Sequence, residues 1–346
     1  MEVTVYAVTQ SRTIQVADLS LVGAARRAAT DLANDLGFTE TKQGNLAIVV
    51  TEAATNLVQH AGGGQVIMQG LRIEGADWIE VIAIDKGPGM ADVNRCLQDG
   101  YSTAGTRGQG LGAIVRLSDL FDVYSIPRIG TALVARICSK PVAPGFHTAA
   151  GDSSPLLAGA VNVPKPGEHE SGDSWAVCHQ PDRSLVMMVD GLGHGPLASE
   201  AALEARRVFL ENVSADLLDI LDRAHSALHK TRGAAMAVAE VRIDQRLVRF
   251  AGVGNIAGTI WSAGNVRSMV SYNGIIGHEV RKLRDFAYPF PQGSLLMMYS
   301  DGLNSHCNFD AFPGLAARHP TLVAAMFYRD CARGRDDASI FVTREP

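Results

Sequence analysis

Aspartates stand where a strand-like segment meets a glycine or a turn at five positions in the second half of the 346-residue chain. They are Asp173 in SGDSW, Asp190 in MMVDGLGHG, Asp301 in MYSDGLN, and the pair Asp336 and Asp337 in GRDDAS. Carboxylates placed directly after strands gather at one edge of a sheet, where they repel one another unless cations lie between them. Oxygen-only ligands favour Mg²⁺ or Mn²⁺ over zinc. Because a lone aspartate there is more often a turn former, the predicted metal site depends on the whole set.

A second group of polar residues lies in the first half of the chain. Glu52, Asn56 and His60 recur every four residues within the otherwise apolar segment LAIVVTEAATNLV and its continuation. This spacing places all three on one face of a helix. If they are buried, a carboxylate and an amide need polar partners, and a bound hard cation would be such a partner. An exposed polar stripe is the alternative.

Two glycine-containing motifs follow that helix. In AIDKGPGM, Asp85 ends an apolar run and precedes Gly87 and Gly89, so its carboxylate can accept a hydrogen bond from an exocyclic amine while the glycines admit a flat base. In TRGQGLGAIVRL, the glycines at the start of a helix are Gly108, Gly110 and Gly112. Exposed backbone amides at a helix N-terminus bind polyphosphates. One such motif is weak, whereas the three in this order predict a nucleotide site.

These three motifs resemble the N, G1 and G2 boxes of the GHKL ATPase superfamily, over roughly residues 10–138. The resemblance implies a Bergerat-fold ATP site in which Asn56 holds Mg²⁺, Asp85 reads adenine and the Gly108–Gly112 loop covers the phosphates. It also implies that Glu52 is the general base toward the acceptor hydroxyl. The segment LQDGYST resembles the switch kinases of the stressosome (RsbT type), which phosphorylate serine or threonine on small STAS-domain proteins. A sequestering anti-sigma factor of similar fold is the alternative.

The acidic motifs of the second half resemble the SpoIIE/RsbX-type branch of the metal-dependent PPM (PP2C-like) phosphatases, over roughly residues 160–346. PKPGEHESGD, DGLGHG and GVGNI carry the resemblance. It implies that Asp190 bridges two metals with the Gly191 carbonyl on one of them, that Asp301 and Asp336 hold the other, and that Asp173 assists. Asp337 stands where eukaryotic relatives tend to carry asparagine, so the metal role can be split between Asp336 and Asp337. His194 is either a general acid or a solvent-facing turn residue.

The pattern of elements predicts an α+β protein of two domains, 1–140 and 161–346, joined by a Pro-rich linker over 141–160. Before the linker, helices are predicted over 20–36, 40–60 and 111–121, and after it over 196–212, 214–230 and 311–330. A continuous strand is predicted over 247–261. With the two resemblances, we expect an N-terminal Bergerat-type α/β sandwich, with one sheet and helices on one face. The C-terminal domain is expected to be a PP2C-like β-sandwich flanked by helices.

Composition excludes several classes of protein. The net charge is −5, with Lys and Arg scattered, which argues against a nucleic-acid partner. No apolar run approaches the roughly 20 residues of a membrane-spanning helix. The N-terminus has no signal-peptide layout. The five cysteines form no CxxC pair, so we expect reduced thiols and a cytoplasmic protein without membrane partners.

The leading hypothesis is a bifunctional protein serine/threonine kinase and metal-dependent phosphatase. It would use ATP and Mg²⁺ in its first domain and two Mn²⁺ or Mg²⁺ in its second. Its substrate would be a STAS-domain protein of a bacterial partner-switching pathway, with a sigma factor or a stressosome as further partner. The alternative is a phosphatase whose N-terminal domain only binds ATP or a sigma factor.

Overall fold

The computed structural model describes residues 4–97, 110–141, 155–304 and 309–346. The N-terminal part alternates strands and helices. Its elements are β1 (Thr4–Val16), α1 (Leu19–Asp35), α2 (Glu40–Ala61), β2 (Gly64–Ile73), β3 (Ala76–Ile84), α3 (Val93–Cys96), α4 (Gly110–Leu117), β4 (Leu120–Ile126) and β5 (Gly130–Cys138).

Local sequence explains where these helices begin and end. The carboxylate of Asp18 accepts the backbone N–H of Ser20 at 2.8 Å and caps α1. Gly62 closes α2 in the left-handed conformation, with φ of 74°, as its sequence predicts. The helix predicted over 111–121 is shorter, because α4 ends at Leu117 and the chain turns into β4.

The C-terminal part contains most of the strands. Its elements are β6 (Leu157–Val163), β7 (Asp173–His179), β8 (Ser184–Gly191), α5 (Pro196–Glu211), α6 (Leu217–Ala227), β9 (Ala234–Arg242), β10 (Leu247–Val253), β11 (Ala257–Ser262), β12 (Asn265–Met269), β13 (Gly274–Ile275), β14 (Glu279–Val280), β15 (Phe286–Pro289), β16 (Leu295–Tyr299), α7 (Pro320–Cys331) and β17 (Ala338–Arg344). Two predictions are wrong in detail. The strand predicted over 247–261 is two strands in different sheets, and the helix predicted over 311–330 begins only at Pro320, where proline suits a first helical position.

One sheet runs through both parts of the chain. Its ten strands have the order β15-β10-β9-β8-β7-β1-β2-β3-β5-β4. β1 joins the halves, since it pairs with β2 along most of its length and with β7 over Thr4–Ala7 only. β6 begins at Leu157, inside the segment predicted as linker, and the domain boundaries stay a prediction.

Helices α1, α2 and α4 cover one face of the N-terminal strands. Leu32 of α1 and Leu46 of α2 are fully buried there against Met68 of β2 and Val81 of β3. The opposite face of the same strands is also covered. Ile67, Ile82 and Val134 pack there with α7 and with the second sheet, whose order is β12-β11-β16-β17-β6. The expected mixed fold is confirmed, and the C-terminal half supplies the layer on the face away from the helices.

The C-terminal strands form a two-sheet sandwich. Trp175 and Phe250 of the large sheet meet Met298 and Phe341 of the five-stranded sheet in its core. Helices α5 and α6 pack on the outer face of the large sheet, and α7 packs on the outer face of the small one. Helix α7 is therefore the element between the sandwich and the N-terminal sheet.

A buried polar network crosses that contact. Glu80 of β3, fully buried, accepts hydrogen bonds from Arg136 Nε at 2.6 Å and from Thr321 Oγ1 of α7 at 3.0 Å. Gln69 Nε2 donates to Glu80 at 3.0 Å and to the Ala160 carbonyl of β6 at 2.9 Å. Each charge thus has partners, as a charge without water requires.

No helix among the described residues is long and apolar enough to cross a membrane. Cys96, Cys138 and Cys178 are free thiols, as expected. Cys331 is disulfide-bonded, so the expectation that all five cysteines are reduced is wrong for this residue.

His319 makes the stability of the fold depend on pH. Its buried ring caps α7, with Nδ1 accepting the N–H of Thr321 at 3.2 Å. Burial, and then the positive charges of Arg136 and Arg344, holds the pKa of His319 well below its usual 6.5. Below about pH 6.5 His319 becomes protonated in the unfolded chain but stays neutral in the folded one. The free energy of unfolding therefore decreases as the pH falls below about 6.5.

We expect His319→Asn, which keeps a capping side chain but does not titrate, to flatten this dependence. The wild type should lose up to about 1.4 kcal/mol of unfolding free energy per pH unit between pH 6.5 and 5 relative to the variant. Thermal unfolding midpoints over pH 5–8 measure the effect. Parallel curves for the two proteins would contradict it.

Candidate active sites

The helical motif of Glu52, Asn56 and His60 lies next to the glycine motif at the start of α4. Glu52 and Asn56 are half-buried there, and His60 is exposed in the last turn. Gly110, the first residue of α4, lies against them: a Cβ at 110 would be 2.7 Å from Glu52 Oε2 and 3.6 Å from Asn56 Oδ1. A side chain at 110 would force the Glu52 carboxylate to shift, so glycine allows Glu52 to keep this position beside α4.

The other glycines of that motif differ in what can be said of them. Gly112 is buried within α4. Gly108 lies outside the described residues.

Asp85 lies directly after β3 and is 9% exposed. Its Oδ1 accepts the backbone N–H of Gly87 at 2.8 Å and of Thr131 at 3.1 Å. Burial raises the pKa of the Asp85 carboxyl, and these two hydrogen bonds oppose the rise. No donor within the described part of the chain reaches Oδ2, which leaves that oxygen for an exocyclic amine.

Gly87 and Gly89, the two glycines after Asp85, allow its turn to pack closely against neighbouring backbone. A Cβ at Gly87 would lie 2.6 Å from the Cα of Ala61, the last residue of α2. Gly89 has φ of 66°, and a Cβ there would be 2.1 Å from the Ile126 carbonyl. The second motif is thereby placed beside the end of the helix that carries the first.

One contact of this turn is not predicted by any pattern in the sequence. Arg329 belongs to α7, in the other half of the chain, and its side chain is 5% exposed. Its Nη1 donates to the Asp85 carbonyl at 2.9 Å and to the Ile129 carbonyl at 3.2 Å. Beside it, Asp330 forms an ion pair with Lys86 at 3.3 Å. Hydrogen bonds from the C-terminal half therefore stabilise the turn that carries Asp85, the carboxylate predicted to bind adenine.

The predicted aspartates of the second half lie at or beside the ends of β7, β8, β16 and β17. Asp173 of β7 and Asp190 of β8 are directly opposite each other in the sheet. Ser300 Oγ, after β16, donates to Asp173 Oδ2 at 2.6 Å. Asp173 Oδ1 is buried and has no hydrogen-bond partner among the described residues.

The cluster holds more negative charge than it can stabilise alone. Burial, with repulsion from Asp337 and Asp301, raises the pKa of Asp173 to about 7 although the Ser300 hydroxyl opposes the rise. Burial and then repulsion from the other aspartates raise the pKa of Asp190 to about 9. Carboxylates in this state take up either protons or cations.

Asp301 approaches the cluster from the second sheet. It is exposed after β16, and Asn255 Nδ2 donates to its Oδ2 at 2.6 Å. Asn255 belongs to the GVGNI segment, and Ser300 immediately precedes Asp301. The sequence analysis assigned neither residue, although the quoted motifs contained Asn255 and adjoined Ser300.

The adjacent aspartates before β17 have different surroundings. Asp337 is 4% exposed, and its two oxygens accept the backbone N–H groups of Lys165 at 2.8 Å and Gly172 at 2.9 Å. Asp336 is exposed, and its Oδ1 accepts only the N–H of Asp337, at 3.0 Å, within the described chain. This arrangement favours Asp336 as the metal ligand and Asp337 as the residue that holds the 164–172 loop.

The residues fit a divalent cation in their chemistry. The buried Asp173 Oδ1 has no hydrogen-bond partner among the described residues, and the negative charges of Asp301 and Asp336 act on the neighbouring Asp190. Gly191 is packed so closely that a Cβ would lie 2.1 Å from the Ala198 carbonyl. Among the described residues, no three of these groups stand close enough to count as a formed metal cluster. Which of them ligate an ion stays a prediction.

His194 is paired. Its Nδ1 lies 2.6 Å from Glu168 Oε1, and the imidazole is 46% exposed. This contact joins the turn after β8 to the 164–172 loop. It supports neither role predicted for His194 over the other.

Comparison with known proteins assigns the two halves separately. Residues 16–137 match the model of the histidine kinase-like ATPase domain, and residues 180–344 match that of stage II sporulation protein E. The serine/threonine-protein kinase RsbT of Bacillus subtilis (strain 168) is 35% identical over 112 residues, which are 32% of this chain and 84% of that protein. The phosphoserine phosphatase RsbX of the same organism is 26% identical over 141 residues, 40% of this chain and 71% of its own.

A solved structure from work on "the bacterial stressosome: a modular system that has been adapted to control secondary messenger signaling" is also similar. It shares 28% identity and a TM-score of 0.51, over 55% of this chain and 99% of that one. In its N-terminal half the chain belongs to the histidine kinase-like ATPase domain family, and its C-terminal half is similar to stage II sporulation protein E, so the chain carries a serine/threonine kinase domain and a PP2C-type phosphatase domain.

Proposed function

We propose that this chain phosphorylates and dephosphorylates serine or threonine on STAS-domain proteins of a bacterial, cytoplasmic partner-switching pathway. The observation that supports the proposal is that one fold joins the predicted kinase residues and the predicted phosphatase residues. Glu52 and Asn56 lie under Gly110, and Asp173 and Asp190 lie opposite each other on adjacent strands. The two relatives add and remove phosphate, and opposite reactions in one chain are most useful on a common substrate.

In the kinase reaction, the chain's own groups bind and orient. Asn56 would hold Mg²⁺, the Asp85 carboxylate would accept the adenine amine, and the glycine amides before α4 would hold the phosphates. Glu52, against Gly110, is placed to take the proton of the attacking hydroxyl. The hydroxyl oxygen then bonds to the γ-phosphorus as the bond to the ADP oxygen breaks.

In the phosphatase reaction, Asp190 with Asp301 and Asp336 would hold the divalent ions, with Asp173 assisting and Gly191 offering its carbonyl. Bound there, two such ions supply an activated water and neutralise phosphoryl oxygens. Ser300 holds Asp173, and Asn255 holds Asp301, each by a hydrogen bond of 2.6 Å. These contacts fix the two carboxylates that come from different sheets.

The two reactions are separable by mutation. With labelled ATP and a candidate STAS protein, Glu52→Gln should lower label transfer by about 10²–10⁴-fold, because it removes the base. Glu40→Gln, on the exposed start of the same helix, is the matched control. Asp190→Asn should leave label transfer intact and abolish Mn²⁺-dependent release of phosphate, whereas Asp182→Asn in an exposed turn should leave both.

The outcomes distinguish the alternatives. ATP binding by the wild type without label transfer to any STAS protein would favour the alternative, in which the N-terminal domain only binds ATP or a sigma factor. Phosphate release by Asp190→Asn at the wild-type rate would refute the phosphatase assignment.

Arg329 should matter for nucleotide binding although it lies in the phosphatase half. Arg329→Met keeps most of the side-chain volume and removes the donors to the Asp85 and Ile129 carbonyls. We expect the Kd for ATP to rise up to about 30-fold, because the two lost hydrogen bonds contribute about 1 kcal/mol each and about 1.4 kcal/mol corresponds to a factor of ten. Calorimetric titration with ATP measures it. Arg333→Met, which loses only an exposed contact to Asn304, should bind ATP as the wild type does, and equal affinities for all three proteins would refute the role of Arg329.

A further inference from the structure

Strands β1 and β7 separate before either ends. They pair from Thr4 opposite His179 to Ala7 opposite Ala176, and the register of β1 shifts between Val8 and Gln10. Beyond that point β1 continues to Val16 paired only with β2, and β7 runs back to Asp173 paired only with β8. Within the described residues, no backbone hydrogen bond joins residues 9–15 of β1 to a strand other than β2.

The space between the separated strands is a cleft of about 800 Å³. One wall is the edge of β1 from Val8 to Gln15, and the other is the loop 164–171. Leu203 and Arg206 of α5 close one end. Asp173 and Asp336 also line the cleft, so it opens onto the proposed metal site.

The cleft is lined by charges of both signs, since Glu168, Glu170, Asp173 and Asp336 lie in its lining together with Arg12, Lys165 and Arg206. Arg206 is largely buried, and its Nη1 donates to the Val8 carbonyl and to Ser174 Oγ. Burial lowers the pKa of this guanidinium, and no carboxylate contact offsets it. Lys165, half-buried in the opposite wall, likewise has no ion pair among the described residues. Two cations without carboxylate partners therefore line the approach to the aspartates.

We infer that this cleft receives an extended segment of the phosphoprotein substrate as an added strand along β1, with its phosphoserine directed toward Asp173 and Asp336. The inference rests on the proposed phosphatase function and names how that site takes its substrate. An added strand gains backbone hydrogen bonds along an open edge, which is a common mode of peptide recognition. A strand of the kinase domain thus forms part of the phosphatase's substrate site.

The test uses three probes with the full chain and Mn²⁺. p-Nitrophenyl phosphate reports the metal site alone. A dodecapeptide of alternating threonine and glutamate around one phosphoserine reports the cleft as well. The same peptide with every backbone nitrogen methylated except that of the phosphoserine keeps the side chains but loses nearly all of its N–H donors to a neighbouring strand. We expect kcat/KM for the dodecapeptide to exceed that for its methylated form about tenfold or more.

A variant in the cleft wall gives an independent measurement. Leu203 is 43% exposed, so Leu203→Trp should fold while narrowing the cleft. We expect it to lower the ratio of kcat/KM for the dodecapeptide to that for p-nitrophenyl phosphate about tenfold. Glu200→Trp places the same bulk on α5 away from the cleft lining and should leave that ratio at the wild-type value.

Equal rates for the methylated and unmethylated peptides, or an unchanged ratio in Leu203→Trp, would overturn the inference. Fluorescence anisotropy of the labelled dodecapeptide, with the same variants, separates this failure from that of the proposed function. If the wild type hydrolyses neither substrate but binds the dodecapeptide in a way that Leu203→Trp weakens, the phosphatase proposal fails and the cleft stands. Absence of both binding and hydrolysis overturns the two together.

Discussion

The arrangement of the two halves depends on the buried carboxylate of Glu80. A charge in the middle of a sheet face is costly unless every oxygen is hydrogen-bonded, and here the partners come from both halves: Arg136 and Gln69 from one, Thr321 from the other. Arg136 and Gln69 also donate to carbonyls of β6. Because a half-satisfied buried network is worse than none, it disfavours other packings of β6 and α7 against the N-terminal sheet.

A fixed contact there makes α7 a rigid connection between the two active sites. Near its end, Arg329 holds the turn of Asp85. Directly after it, the Cys331 carbonyl accepts the N–H of Asn304, and the N–H of Arg333 donates to the Gly302 carbonyl, in the turn that begins with Asp301. Asp85, the carboxylate predicted to read adenine, and Asp301, a proposed metal ligand, are thus both within a few hydrogen bonds of one helix end. Any displacement of that helix changes both sites together.

What the sequence predicted well was local. Neighbouring residues predict that Glu52 and Asn56 share one helix and that a glycine ends it, and the structure shows both. Asp173 begins β7 and lies opposite Asp190, near the end of β8. What it could not predict is non-local. Nothing near β1 signals that Thr4–Ala7 pair with β7 more than 160 residues later, and nothing near Arg329 points to Asp85. The ends of α4 and α7 were misplaced because strand pairing and proline decide them.

The same reasoning explains why two neighbouring aspartates before β17 take different tasks. Asp337 is buried, so its oxygens must be hydrogen-bonded, and the backbone of Lys165 and Gly172 supplies the donors. These two hydrogen bonds connect the 164–172 loop, which forms one wall of the cleft, to the start of β17. Asp336 beside it is exposed, so its oxygens do not need such hydrogen bonds and are available to a cation. One carboxylate therefore holds the 164–172 loop, while the next is the one we propose as a metal ligand, and both belong to the same short turn before β17.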